Sequence, residues 1–545
     1  VRRDRLAPPP PDDGASARAD AAWRPGLLRR RGVLAASCLA VGAGALLGRA
    51  SCSEEAAFRP VEATHAFEVD VDPAPGAAVN RRILGSNVGW AFGGDDLLTK
   101  DGAFAPAMLE RVRALAPTVL RYPGGTYSDV FRWEAATNEH VFSRQVQPTL
   151  MDTRRFLELC DLVGAQPLIT VNVVTGTPEE AARWVAFTNR GKTVSRLTGR
   201  PLPRVRYWEI GNEPYLKEQS RDDIDLRPDE YARRADRFIA AMRAVDGGIL
   251  IGLPLTSDTR SGLPVTPHPG FTRTVLARVD ERFDYASLHN AYMPFAFKAG
   301  ESRENLYWGA MAGALTTQAD LAAMTRLLAQ LRPGQDLPLA ITEYSPIFGL
   351  GRGAIDKLIV SPAGALYLAD VLRVFAQTPN LLLANHWSLS ANWIFGAIRA
   401  DGLPRPAYEV LKLAGEAIQG RLLTARVRAS TQRVRAVGQV GAVDALPLVE
   451  ALATRSDASG ASGAEIRVML INKDPRRRGV GRLRVGATDV AGARLSLLSS
   501  TDPMESTDRP GILTRTESTL PGGPEIAVDL PPCSVALLTL AGTRS

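Results

Sequence analysis

Between about residue 81 and residue 418, two kinds of hydrophobic pattern alternate. Short apolar runs of strand length occur at Ile83–Trp90, Thr118–Tyr122, Pro167–Val173, Val205–Glu213, Ile249–Leu255, Phe283–His289, Leu339–Tyr344 and Leu381–Leu389. The segments between them carry apolar residues every three to four positions. Tyr231, Ala235, Phe238, Ile239, Met242 and Val245 form one such stripe; Leu321, Met324, Leu328 and Leu331, and Leu368, Val371, Leu372 and Phe375, form two more. Thr177-Pro178-Glu179-Glu180 has the residues of a helix start: a hydroxyl cap, a proline in the first turn and a glutamate three after the cap. Eight strand-then-helix units predict an α/β architecture, a closed parallel (β/α)8 TIM barrel with its helices outside.

From about Gly420 the period changes to two. Leu422–Val427, Val434–Val440, Ile466–Asn472, Arg482–Val485, Ala493–Leu498, Glu525–Val528 and Val535–Leu540 alternate, punctuated by Gly, Pro, Ser and Asp. This predicts a C-terminal antiparallel β-sandwich over 419–545, with Ser456 to Gly463 as a hairpin tip. Phe67 to Val71 also alternates and has no place in the barrel. Residues 59–80 are therefore expected to add a strand to the sandwich, leaving 81–418 as the barrel.

Residues 1–58 read differently. A polar, proline-rich lead precedes Arg29-Arg30-Arg31-Gly32-Val33-Leu34 and an apolar run ending at Leu47. That run is too short to span a bilayer and has the length of a signal h-region. The paired arginines followed by x-Val-Leu fit a twin-arginine export signal, cleaved near Ala50 to Ser53. Export to the periplasm or exterior is expected, with no integral membrane span in the mature chain; lipidation of Cys52 is the alternative. The four cysteines suggest no disulfide framework, since Cys38 and Cys52 lie in this segment and Cys160 falls on a helix face, leaving Cys533. The net charge of +7 is spread thinly, which argues against a nucleic-acid partner. No Cys/His cluster suits a metal and no Gly-rich loop suits a phosphate, so no cofactor is expected.

The chemistry centres on Tyr207-Trp208-Glu209-Ile210-Gly211-Asn212-Glu213-Pro214. Pro214 cannot donate to a sheet and marks the exit from the fourth strand. Glu213 then sits at the carboxyl end of the barrel, where catalytic groups collect, with Asn212 beside it. Leu339-Ala340-Ile341-Thr342-Glu343-Tyr344 puts a second carboxylate, Glu343, at the end of the seventh strand. Two carboxyls at one mouth, roughly 5–5.5 Å apart, suit retaining glycoside hydrolysis. Glu343 would be the nucleophile; Glu213, with a raised pKa, would be the acid and then the base. Arg121 either holds Glu343 anionic or pairs with Glu209, which shares a face with Glu213. Substrate contacts are expected from Asn212, Arg121, Asn172, His289, Tyr292 and Trp387, each at or just past a strand end; Trp387 could floor a sugar. Trp90, Tyr127 and Trp133 are further rim aromatics. A carbohydrate-binding barrel without catalysis is the alternative, although binding alone has no need of a carboxylate pair.

These stretches resemble clan A glycoside hydrolases, most closely the α-L-arabinofuranosidases of glycoside hydrolase family 51. The matching motifs are Leu120–Gly125 with Phe131-Arg132-Trp133, Val171–Trp184, Tyr207–Glu213, Ser287-Leu288-His289, Thr342–Tyr344 and Ala384-Asn385, together with Leu470–Asp474 and Leu530–Val535 in the sandwich. The resemblance implies Glu213 as acid/base, Glu343 as nucleophile, Asn212 as the contact to the sugar 2-hydroxyl, and an oligo- or polysaccharide substrate such as a plant or microbial side chain. Two departures bear on sugar recognition. Gly89 stands where the family has a sugar-binding Glu, and Ser388 stands near the family's Gln. Trp208–Pro214 is also similar to the heparanase and β-glucuronidase branch, which makes a uronidase the second enzymatic reading, with a β-xylosidase of the same clan beside it. Exo or endo action and oligomeric state are left open.

Overall fold

The computed structural model describes residues 58–540, apart from 90–95, 140–143, 192, 217–225, 258–267, 297–300, 352–353, 356, 391–393, 457–464 and 488. Trp90, the export segment and most of the Ser456–Gly463 tip lie outside the described residues. Eight strands pair in parallel around a closed ring: Gly85–Asn87, Val119–Tyr122, Gln166–Val171, Tyr207–Ile210, Leu250–Pro254, Tyr285–Leu288, Leu339–Gly351 and Leu381–His386. The pairing of Asn385 with Gly85 closes it. One helix follows each strand: Pro106–Leu115, Thr153–Val163, Pro178–Val185, Pro228–Val245, Phe271–Arg278, Arg303–Leu331, Pro362–Gln377 and Pro406–Ala417. The helix start at Thr177 has the expected cap, its hydroxyl accepting from the Glu180 amide.

Several boundaries differ from the sequence reading. The first strand is three residues long because Arg81–Ile83 form a 3-10 turn. The fourth stops at Ile210, so Asn212 and Glu213 lie in the turn after it, past Gly211 with its φ of +86°. The seventh runs on to Gly351, where an extension of the sixth, Ala291–Ala296, pairs with it. Pro294 hid that extension in the sequence, although an edge strand tolerates a residue without an N–H.

The second region is a nine-stranded sheet folded about its own apolar core, which includes Phe67, Val69, Val71, Val468, Leu470, Leu483, Val528 and Leu538. The strand Thr64–Asp72 joins it, antiparallel to Arg421–Ala429 and parallel to Arg478–Val485. The expected all-antiparallel order is thus corrected at one pair. No hairpin ties this strand to its neighbours, because the whole barrel intervenes in the chain. Val434–Val440 is not a sandwich strand: Thr431–Val434 pairs with Val443–Pro447 as a separate hairpin, and Val449–Arg455 takes the place in the sheet. Cys160 and Cys533 are buried and unbridged. No helix among the described residues is long and apolar enough to cross a membrane.

Strand alternation stacks the barrel interior in layers. Val119, Leu168, Tyr207, Tyr285, Ala340 and Leu383 form an apolar plug. Two residues further along the same strands come Arg121, Thr170, Glu209, Ser287, Thr342 and Asn385, all buried and all polar. Buried polar groups are costly unless paired, and most of this layer is hydrogen-bonded: Arg121, Thr170 and Thr342 converge on Glu209, and Asn385 donates to the Ser86 carbonyl. The layer supports the site above it.

Candidate active site

Arg121 is 0% exposed and organises the network. Its Nε donates to Glu209 Oε2 at 2.7 Å, its Nη1 to Glu343 Oε1 at 2.8 Å and Asn87 Oδ1 at 3.1 Å, and its Nη2 to Asn212 Oδ1 at 3.0 Å. The two sequence-level alternatives for Arg121 are therefore both realised by one planar fork. Burial opposes its charge, but the Glu209 and Glu343 carboxylates outweigh burial and hold the guanidinium protonated.

Glu343 also accepts from the Tyr292 hydroxyl, at 2.7 Å on Oε2. Burial, with Glu343 beside it, pushes the Tyr292 phenol well above its ordinary range, so it serves as a donor. A local irregularity aims Glu343 into the site. Thr342 bonds Glu209 and Glu343 bonds Arg121, so neighbouring side chains both face inward, which regular pleating forbids. Against the eighth strand the register slips between Ile341 and Tyr344, a one-residue bulge that re-aims the side chain.

Glu213 Oε1 accepts from the Tyr215 hydroxyl at 2.9 Å and lies 3.0 Å from His289 Nδ1. The same Nδ1 is 3.7 Å from Glu343 Oε2. The separation of the two carboxylate oxygens cannot exceed the sum of those distances. That bound sits at the floor of the roughly 6.5–9.5 Å used by inverting pairs and admits the roughly 5–5.5 Å of retaining ones. The expected raised pKa of Glu213 is corrected: burial pushes it up, but the bond and charge of His289 and the Tyr215 hydroxyl pull it down, and it is lowered on balance. His289 moves the other way. Burial lowers it, yet Glu343 and Glu213 raise it beyond the ordinary histidine value. The two shifts are opposite in sign, Glu213 down and His289 up, because each stabilises the charged form of the other.

Asn172 is not brought to the carboxylates. Its Nδ2 donates to Phe131 O and Thr175 Oγ1, and its Oδ1 accepts from the Thr175 and Gly176 amides, so it builds the loop after the third strand. Trp387 is 6% exposed and packs with Phe295, Ile347 and Phe395. Its ring lies so close to Gly89, Gly124 and Gly125 that a Cβ on any of them would come within 2.6–2.7 Å of it. Trp133 stacks on Trp184 and donates to Glu180 O, which ties it to a helix instead of the mouth; Tyr127 is buried at 6%. Ser388 is buried and donates to Ser390 O. The residues that sequence reasoning passed over are Asn87, Thr170, Tyr215 and Thr342. The signal for Asn87, Thr170 and Thr342 was a polar residue inside a barrel strand, whereas Tyr215 lies in the turn after Pro214, where no periodicity marks it.

The eight-stranded parallel barrel thus carries two glutamates and an arginine clamp past the carboxyl ends of its strands. No family model matches the chain. The chain is 30% identical over 170 residues to alpha-L-arabinofuranosidase C of Emericella nidulans, covering 28% of this chain and 32% of that protein. It is 28% identical over 193 residues to the intracellular exo-alpha-L-arabinofuranosidase of Bacteroides ovatus, covering 33% and 35%. The chain thus spans about a third of the length of these curated relatives. Among solved structures it shares its fold with the alpha-L-arabinofuranosidase of Thermotoga maritima, at TM-score 0.73 and 21% identity over 87% of this chain and all of that one. The family 51 arabinofuranosidase of Xanthomonas axonopodis follows at TM-score 0.70 and 17% identity, again over 87% and 100%.

Proposed function

We propose that the chain is a retaining glycoside hydrolase of the α-L-arabinofuranosidase type, with Glu343 as nucleophile and Glu213 as acid/base. The observation that carries this reading is the placing of both carboxylates about one imidazole, with Glu343 fastened by Arg121 and Tyr292. Glu343, accepting two charge-assisted bonds, attacks the anomeric carbon. Glu213 protonates the departing oxygen and later deprotonates the water that releases the sugar. Arg121 holds Asn212 by its oxygen, which leaves the donor end of that amide for a sugar 2-hydroxyl.

The likeness to arabinofuranosidases supports the sugar class. Recognition differs in detail, because the Trp387 ring fills the space above Gly89 and the buried Ser388 is turned to backbone. An apolar ring and a backbone-bonded hydroxyl therefore stand where a Glu at 89 and a Gln at 388 would offer polar contacts. A uronidase would need a spare cation for the substrate carboxylate, whereas the Arg121 guanidinium is already committed to Glu209, Glu343, Asn87 and Asn212.

The test is turnover of 4-nitrophenyl α-L-arabinofuranoside against the xyloside, glucoside and glucuronide, with Glu343→Ala and azide rescue. Arabinofuranoside turnover, lost in the variant and restored by azide as a glycosyl azide, supports the reading. Absence of turnover across the panel would favour a binding barrel. We also propose export by the Arg30-Arg31 signal; a reporter fused to residues 1–58 should lose export when both arginines become lysine.

A further inference from the structure

Behind Glu213 runs a chain of hydrogen bonds whose proton count is fixed by chemistry. Glu209 is an acceptor-only carboxylate here: Arg121 Nε donates to its Oε2 at 2.7 Å and the Thr170 hydroxyl to the same oxygen at 2.9 Å. Burial opposes its charge, but Arg121 keeps it ionised. The Thr342 hydroxyl lies 2.8 Å from Glu209 Oε1 and must donate to it. A hydroxyl has one hydrogen, so toward His289 Nε2, 3.0 Å away, Thr342 Oγ1 can only accept. Nε2 therefore carries a proton in every charge state. The other ring nitrogen, Nδ1, then faces Glu213 Oε1 across 3.0 Å with room for one proton between them.

We propose that Glu209 and Thr342 are positioning residues that lock His289 in its Nε2–H form, so that His289 Nδ1 serves as the proton store for Glu213. This rests on the assignment of Glu213 as the acid/base. In the free site the proton sits on Nδ1, bonded to the Glu213 carboxylate. When the leaving oxygen develops charge, the Nδ1–H bond breaks and a Glu213 O–H bond forms. Glu213 then passes that proton to the leaving group. His289 is left neutral, still protonated at Nε2, with the Nδ1 lone pair facing the carboxylate. In the second half-reaction Glu213 takes a proton from water and the store is refilled. No charge leaves the ring–carboxylate pair until the leaving group takes the proton. Histidine is suited to this because its tautomer is set by the partner of the far nitrogen. The groups facing His289 are Glu213 and Glu343 on the Nδ1 side and Thr342, backed by Glu209 and Arg121, on the Nε2 side. Tyr215 and Tyr292 donate to the two facing carboxylates and compete with the imidazole for their charge.

The experiment is long-range proton–nitrogen NMR on the full chain labelled with 15N-histidine. The chain has five histidines, and His289→Gln identifies the signal. The expected wild-type result is an Nε2 that stays protonated across the titration and an Nδ1 that alone titrates. Thr342→Val, close in size, should give a mixture of tautomers; Thr342→Ser should restore the wild-type pattern. In kinetics, Thr342→Val should move the alkaline limb of kcat/KM to lower pH. It should lower turnover about tenfold for 4-nitrophenyl glycosides, short of the roughly 10²–10⁴-fold loss of the acid itself. The loss should shrink with 2,4-dinitrophenyl leaving groups, which need little protonation; a general structural defect would lower both alike. A wild-type Nδ1–H neutral tautomer overturns the proposal, and so does a Thr342→Val protein whose tautomer and alkaline limb match wild type. The NMR readout needs no substrate, so a protein that hydrolyses none of the glycosides would refute the hydrolase reading while the tautomer is still decided.

Discussion

Two of the buried ionic clusters among the described residues differ in arithmetic. Where the barrel meets the sandwich, Asp370 and Arg373 of the seventh helix face Glu450 and Lys473 of the β region. Lys473 Nζ lies 2.6 Å from Asp370 Oδ2 and 3.8 Å from Glu450 Oε1, and Arg373 Nε lies 2.7 Å from Asp370 Oδ1. Two acids meet two bases, and Lys473 is 0% exposed. At the barrel mouth, Glu209, Glu213 and Glu343 meet one guanidinium, and Glu213 is 25% exposed. The balanced cluster is a rivet. The unbalanced one packs against the His289 imidazole, and its Glu213 reaches solvent. An excess of acid over base with one carboxylate reaching solvent distinguishes the mouth cluster from the interior one, because both are otherwise largely buried and ion-paired.

The sharpest way to break the comparison is at the nucleophile. Glu343→Ala should lower kcat on the order of 10⁴-fold or more, because the covalent intermediate cannot form. The equivalent cut in the rivet, Lys473→Met, should leave the kcat of folded protein unchanged and lower stability by about 3–5 kcal/mol, since Asp370 and Glu450 lose a buried partner. Arg121→Met should do both kinds of damage, with a stability loss of about 3–5 kcal/mol in denaturant titration and a fall in kcat. A fully active Arg121→Met would remove the distinction between the clusters.

Tyr292→Phe sharpens the picture within the site. Losing one hydrogen bond to a charged group, worth about 1.5–3 kcal/mol, should lower kcat roughly 10–100-fold with little change in melting temperature. The smallest and most graded effect is on pH. His289 is raised, so its contribution to stability is fully present below about pH 6.5 and is lost as pH rises through its folded value. Glu209 and Glu213 are lowered, so theirs is present above about pH 4.3 and is lost as pH falls through their folded values. The His289–Glu213 attraction is a single interaction and counts once. Activity should fall on the alkaline side as His289 loses its proton. In Lys473→Met the same alkaline limb should stay in place, which a pH–rate profile checks.

Much of this was legible in the chain. The eight strand-and-helix units follow from periodicity, because burying one face imposes a spacing that local sequence must obey. The convergence of Glu213 and Glu343 was legible as well, not from either carboxylate alone but from their joint placement after the fourth and seventh apolar strands. Residues 59–80 were read as adding a strand to the β region, because Phe67 to Val71 alternates and has no place in the barrel; Thr64–Asp72 is that strand. What the sequence could not show was anything set by pairing between distant strands. The bulge that turns Glu343 inward depends on register with Leu381–His386. The sharing of Arg121 among Glu209, Glu343, Asn87 and Asn212 depends on four strands converging. The lowered pKa of Glu213 depends on an imidazole 76 positions away. Asn172 looked like a site residue because it ends a strand, and only the fold revealed that its amide was already committed to its own loop and to the Phe131 carbonyl. Hydrophobic period is a local property, written residue by residue. Charge balance, proton position and side-chain aim are sums over neighbours that only the closed barrel brings together.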